Sequence, residues 1–378
     1  MYWLVWGIFL IIFTFLGQKR GPLSQKSYVS IASQILLILT LSILAGLGGV
    51  ESTDHYEYEM KYRAIQDMSI QTLLTPNSFD VLKNESLYWE YGFSLYCKLC
   101  SSIGLSYVGF FLLTAVITNT LIIKTLYRFK YPVFCMLLFM LSHLYFQESN
   151  IVRQTFAISF FAYSLKYIEE GKAIKYILFV LFASSMHSAL FLCILLYPLR
   201  HVTTVKSCKI SYILLLFLWL FSIYIAFSAS IFDFGIIMEN TYQYQSLWEK
   251  SEDEFGSKGI DTINNAIIVL IFFNGFFQRK RIEIYFNVYL ILTVLYVILC
   301  NFSVNIFYFY RVSLIFEIVF CFYLGTALQQ MKFLKLDKYT IPFILIALFK
   351  IYSFLIFVYN GGHGSVGKTF YSIEDIFI

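Results

Sequence analysis

Two arginines each open a long apolar run, Arg153 in ESNIVRQTFAISF and Arg311 in NIFYFYRVSLIF. A guanidinium within hydrocarbon costs about 2.5–3.5 kcal/mol on insertion scales, so such a residue usually faces a cavity or a partner. It can also sit at a helix end and snorkel to headgroups, and the tyrosines beside Arg311 suit such an anchor. Ala157 and Ser164 share a helical face with Arg153 and mark that face for helix contact rather than lipid, which favours a functional role for Arg153 and its neighbour Gln154. His187, in SSMHS, carries an imidazole that can move a proton or donate to a developing anion, although a lone histidine among apolar residues also serves as a hydrogen-bonded structural group. Carboxylates that could act as bases lie in STDHYEY, with Asp54, and SLYWEYGFSLY, with Glu90. Pattern alone does not choose among Asp54, Glu57, Glu85 and Glu90, since most loop carboxylates are merely solvated. Tyr58, Tyr88, Trp89, Tyr91, Tyr242, Tyr244 and Trp248 could stack on sugar rings or form an interfacial belt.

Two further patterns carry less. Gly362–Thr369, GHGSVGKT, fits the phosphate-cradling pattern G-x-x-x-x-G-K-[ST]. That cradle needs a strand before the glycine turn and a helix after it. Here the letters follow an apolar span, and no partner aspartate on a strand accompanies them, so they are read as a coincidence and no nucleotide is expected. Cys97 and Cys100 form a C-x-x-C without the second ligand pair that zinc requires, so the expectation is packing on one helix face. The acidic residues lack a D-x-D spacing, and neither metal nor cofactor is expected.

These residues sit in a chain of 378 residues that is 59% hydrophobic and only 13% charged. Soluble domains carry about 25% charged residues, so this composition belongs to a membrane protein. The 41 Phe and 30 Tyr suit lipid contact and interfacial belts, and the net charge of +5 comes from short Lys and Arg clusters between apolar runs. No basic patch interleaved with aromatics suggests nucleic acid. The first apolar stretch lacks a basic n-region and a small-residue cleavage site, so it is expected to be a retained span with its N-terminus outside, followed by inner Lys19, Arg20 and Lys26.

Spans of about 20 apolar residues can be walked along the chain against these charges. The expected fold is all-α, a single polytopic membrane domain over 1–378 with about 11–12 membrane segments. An outer loop covers 51–104 and a second covers 231–261. A third span ends at Lys124, Arg128 and Lys130, and a fourth rises over Tyr131–Phe146 to Glu148. A fifth then descends from Arg153 to the inner EEGKAIK. The apolar run Tyr176–Leu199 connects two clusters that both belong inside, which one span cannot do. Two short helices that enter and return, broken near Ser184–Ser188, resolve the conflict. Each half of about 12 residues reaches about 18 Å, short of a core of about 30 Å. Irregular backbone at that depth must be buried in protein or line a cavity.

Taken together, the residues resemble those of the Wzy/EpsG-type O-antigen and exopolysaccharide polymerases. The resemblance rests on STDHYEY at Ser52–Tyr58, EYGF at Glu90–Phe93, RQTFA at Arg153–Ala157, GKAIKY at Gly171–Tyr176, HSAL at His187–Leu190 and YRVS at Tyr310–Ser313, in family order. Ser52 and His55 depart from the family pattern, which usually has Gly and Tyr there. The resemblance implies a helical fold of the glycosyltransferase C class in the bacterial inner membrane with its active site facing the periplasm. It implies polymerisation of repeat units carried on undecaprenyl pyrophosphate, which supplies both donor and acceptor, with a chain-length regulator and a flippase as further partners. Under that reading Arg153, Arg311 and Gln154 bind the pyrophosphate, because guanidinium holds phosphate oxygens bidentately. The two arginines are expected to converge just below the outer rim. Asp54 or Glu90 would be the general base, His187 would orient or donate to the diphosphate, and Tyr58, Trp89 and Tyr91 would stack on sugars. A flippase or other transporter would show internal repeats and paired broken helices. An O-antigen ligase shares the Arg and His chemistry and stands as the other alternative.

Overall fold

The computed structural model describes residues 28–47, 54–74, 90–129, 132–140, 142–146, 148, 150–201, 205–227, 265, 269, 284–303, 307–330, 345 and 348. The second outer loop, Trp89 and the Gly362–Thr369 match lie outside them. Among the described residues the secondary structure is helical, with no strand. The chain forms two compact units, 1–199 with 350–378, and 200–349.

In the first unit the Tyr28–Leu47 helix packs on Tyr107–Leu126, which packs on Val152–Glu169, which in turn packs on Ala173–Met186. Gly46 permits the first of these contacts: a Cβ there would lie 2.8 Å from the Leu112 Cα. Helix ends follow local chemistry. The Ser106 hydroxyl accepts from the Gly109 N–H and starts the Tyr107 helix. Gly104 and Gly171 take positive φ, 82° and 71°, and close their helices with bonds from Leu105 N–H to the Cys100 carbonyl and from Lys172 N–H to the Tyr167 carbonyl. In the second unit the Ile284–Ser303 helix packs on Phe307–Gln330 and on Val205–Phe227. A buried polar chain helps fix that unit: the Trp219 indole donates to Asn265, whose amide donates to Asn301, which donates to Ser222.

Among the described residues one helix, Tyr107–Leu126, is long and apolar enough to cross a bilayer. Gln34–Gly46, Ala173–Met186, Ser188–His201, Ile213–Ile225 and Val288–Ser303 are apolar but shorter. Part of the 11–12 expected segments falls on residues outside the described set.

The expected break near SSMHS is present. The Ala173–Met186 helix ends where His187 turns to extended backbone, φ −152° and ψ 110°, and a 3-10 helix runs over Ser188–His201. The two halves fold back on each other. Tyr176, in the first turn of one, donates its hydroxyl to the Cys193 carbonyl at 2.5 Å and packs its ring 5.8 Å from Tyr197, late in the other.

Two stretches differ from the sequence expectation. The fourth span is interrupted: helix covers Pro132–Met140, Ser142 bonds back to the Phe139 carbonyl through both N–H and hydroxyl, and a short turn of helix follows over His143–Phe146. Serine competes for backbone partners in this way and stops the helix. The outer loop 51–104, expected only as polar, holds helices His55–Asp67, Ile70–Leu74 and Tyr91–Ser102. Aromatic packing ties them to the Tyr107–Leu126 and Val152–Glu169 helices, with Tyr62 stacked on Phe110 at 4.8 Å and Tyr96 on Phe156 at 5.0 Å. Cys97 and Cys100 are buried free thiols on the last of these helices, in keeping with a packing role.

Candidate active site

Glu90 immediately precedes the Tyr91–Ser102 helix. Its backbone carbonyl accepts from the N–H groups of Phe93 and Ser94, while its side chain makes no capping bond. The carboxylate reaches instead to two other segments. Oε2 lies 2.5 Å from Nη1 of Arg153, in the first turn of the Val152–Glu169 helix. Oε1 accepts from the backbone N–H of Ser188 at 3.1 Å and from its hydroxyl at 3.3 Å. His187 Nδ1 stands 3.2 Å from Oε1. That ring nitrogen is not aligned for a hydrogen bond, so the contact acts as an ion pair when the imidazole is protonated.

Gly92 sets this geometry. A Cβ there would stand 2.4 Å from the Ser185 hydroxyl oxygen and 2.7 Å from the Ser185 carbonyl oxygen. Only glycine lets the first turn of the Tyr91 helix lie against the end of the Ala173–Met186 helix, and that close approach brings Glu90 to the break at His187.

Tyr58 lies behind Arg153. It is 6% exposed, its ring packs edge-on against Phe93 and Phe111, and its hydroxyl is 3.5 Å from both Nε and the backbone N of Arg153. Burial pushes the Tyr58 phenol up, the Arg153 charge pulls it down, and the nearby Asp54 carboxylate pushes it up again. Asp54 stands at the start of the His55–Asp67 helix, where its carbonyl accepts from the Tyr58 N–H. His55, whose family equivalent is usually Tyr, turns inward and meets the Tyr107 hydroxyl at 3.2 Å.

For Glu90, burial alone would raise the carboxyl. The neighbouring His187, the Arg153 charge and the Ser188 N–H outweigh that and hold it at about 2. A carboxylate so stabilised is a weak proton acceptor; it is suited to fixing cations in place.

The structure thus brings together Glu90, Arg153, His187 and Tyr58, with Asp54 near enough to act on Tyr58. Gln154 is buried in the first turn of the Val152–Glu169 helix, Tyr91 is 46% exposed, and Arg311 is partly exposed in the Phe307–Gln330 helix of the second unit. Sequence reasoning missed Ser188 as a carboxylate ligand and Ser185 as the contact that requires Gly92. Both flank His187 in the segment already marked as a break, which was the available signal. Among the described residues no cluster of His, Cys, Asp and Glu could hold a metal ion.

A model of the EpsG family matches residues 31–371. No curated protein and no solved structure matches the chain. The matched stretch takes in the Tyr107–Leu126 helix, the break at His187 and every member of the Glu90 cluster. Its apolar composition, its apolar helices and this match together make it a membrane protein, and the chain belongs to the EpsG family.

Proposed function

We propose that this protein is a polytopic glycan polymerase that joins lipid-linked repeat units on the outer side of the bacterial inner membrane. The observation that carries the proposal is the Glu90 carboxylate held between Arg153 and the His187–Ser188 break, three segments far apart in sequence. A largely enclosed guanidinium and an imidazole that share one carboxylate suit a reaction in which a diphosphate leaves and a hydroxyl must lose a proton.

In the proposed reaction a hydroxyl of the acceptor glycan attacks the anomeric carbon of the donor. A carbon–oxygen bond forms there, the bond to the pyrophosphate oxygen breaks, and its electron pair leaves on polyprenyl pyrophosphate. Arg153 meets the growing negative charge, where exclusion of water strengthens the interaction. His187 takes the hydroxyl proton, a role typically worth about 100- to 10,000-fold. Glu90 then acts through the other two: its carboxylate aims Arg153 and favours the imidazolium that forms when His187 accepts the proton. This reassigns Glu90 from base to positioning residue, with Asp54 as the remaining carboxylate candidate. Tyr58, buried behind Arg153, serves the guanidinium rather than a sugar ring, and exposed Tyr91 keeps the stacking role. Arg311 is proposed as a further phosphate ligand on the strength of the family resemblance.

The test is reconstitution of the full chain with purified lipid-linked repeat unit. Polymer formation lost on Arg153→Ala and on His187→Gln, with folding intact, supports the assignment. Native-length polymer from either variant removes it.

A further inference from the structure

We propose that Glu148, held in place by Asn119, and three threonines form a binding site for one monovalent cation of sodium size, separate from the Glu90 cluster. Glu148 precedes the Arg153 helix and was expected only as the outer end of the fourth span. It is 5% exposed, and its Oε1 accepts from the Asn119 amide at 2.8 Å. Asn119 lies in the thirteenth position of the Tyr107–Leu126 helix, about 18 Å along it at 1.5 Å per residue, and is itself fully buried. The second amide N–H of Asn119 goes to the Ala115 carbonyl at 3.0 Å. Among the described residues Oε2 of Glu148 and Oδ1 of Asn119 have no hydrogen-bond partner. Two buried acceptors, one of them a carboxylate, are costly unless something positive faces them.

Glu148 borders a hollow of about 10 Å³, room for one water-sized guest. Thr114, Thr118 and Thr155 line it, and Ala45 and Phe111 supply apolar wall. The Thr114 hydroxyl gives its proton to the Phe110 carbonyl at 2.7 Å, and the Thr155 hydroxyl gives its own to Val152 at 3.1 Å. Thr114 also accepts from the Tyr96 hydroxyl at 3.1 Å, so each of these threonines keeps at least one lone pair for a guest. An all-oxygen set of acceptors fits a hard cation and offers nothing to an anion. One carboxylate balances a single charge, and calcium's six to eight ligands exceed what so small a hollow supplies. A bound ion would tie the Tyr107–Leu126 helix to Glu148 and to Thr155, two residues beyond Arg153. The inference does not depend on the reaction proposed above.

The test uses the purified full-length protein in sodium-free detergent buffer, with NaCl titrated against choline chloride at constant ionic strength. The wild-type unfolding midpoint should rise steadily with the logarithm of sodium concentration, as mass action requires of a ligand bound only to the folded state, and stay flat in KCl. Glu148→Gln should abolish the rise. Should that variant not fold, Thr118→Val should shift the sodium response to roughly tenfold higher concentration, the loss of one ligand worth about 1.4 kcal/mol. A wild-type midpoint indifferent to sodium would overturn the proposal. So would a full sodium response in Glu148→Gln, or stabilisation by lowered pH alone with none by sodium, since the carboxyl would then be held by a proton.

Discussion

The Glu90 carboxylate and the Arg153 guanidinium meet at 2.5 Å across 63 residues of sequence, and both side chains are largely withdrawn from solvent. Removing one member of such a pair leaves the other charge buried and uncompensated. Glu90→Gln keeps the shape and an acceptor for Ser188 but loses the charge. Polymerisation should fall by roughly 10- to 100-fold, the equivalent of about 1.5–3 kcal/mol for a charged hydrogen bond. Product-length analysis on reconstituted protein measures it.

The pH dependence of folding has a definite sign. Glu90 titrates at about 2 in the folded chain against an ordinary 4.5. A depressed carboxyl contributes its stability above the higher value and loses it as pH falls through the lower one. Stability from this group, at most about 3 kcal/mol, should therefore be full above pH 4.5 and decline toward pH 2. Thermal unfolding of wild type and Glu90→Gln across that window should converge at its acid end.

Gly92→Ala should damage the site without touching a polar group. Its methyl would press on Ser185 at 2.4 Å, an overpacking that typically costs about 1–3 kcal/mol. Ser185→Gly in the same chain removes the hydroxyl and Cβ but leaves the carbonyl at 2.7 Å, so rescue of activity should be partial. A double-mutant cycle on unfolding midpoint and polymer yield reads the coupling.

His187→Gln should lower the rate by about 100- to 10,000-fold if the imidazole takes the proton, with little change in unfolding midpoint. Tyr58→Phe should cost far less, because its hydroxyl lies 3.5 Å from Arg153. Equal effects from the two would point to a packing role for both.

The break at His187 was legible because charge alternation is a strict constraint: two inner clusters cannot flank one span. The fold-back of Tyr176 on Tyr197 is its consequence. The choice of Glu90 over Asp54 was not legible, since both occupy aromatic outer segments and only contact across distant segments distinguishes them. Serine as a carboxylate ligand leaves no mark in composition. The burial of Glu148 was not legible because the Tyr131–Phe146 run looked continuous, and a single serine at Ser142 interrupts it. Asn119, a polar residue deep in the Tyr107–Leu126 helix, was the overlooked sign that something would meet it there.

Arg153 carries the central claim. The decisive measurement is polymer length made from purified lipid-linked repeat unit by the full chain in liposomes, comparing wild type with Arg153→Ala, Arg153→Lys and Arg311→Ala at equal folded amounts. Wild type should give a ladder of long chains, Arg153→Ala unextended single units, and Arg153→Lys strongly impaired extension, because an ammonium lacks the guanidinium fork. Arg311→Ala should also be impaired. Chains of native length from Arg153→Ala would contradict that claim.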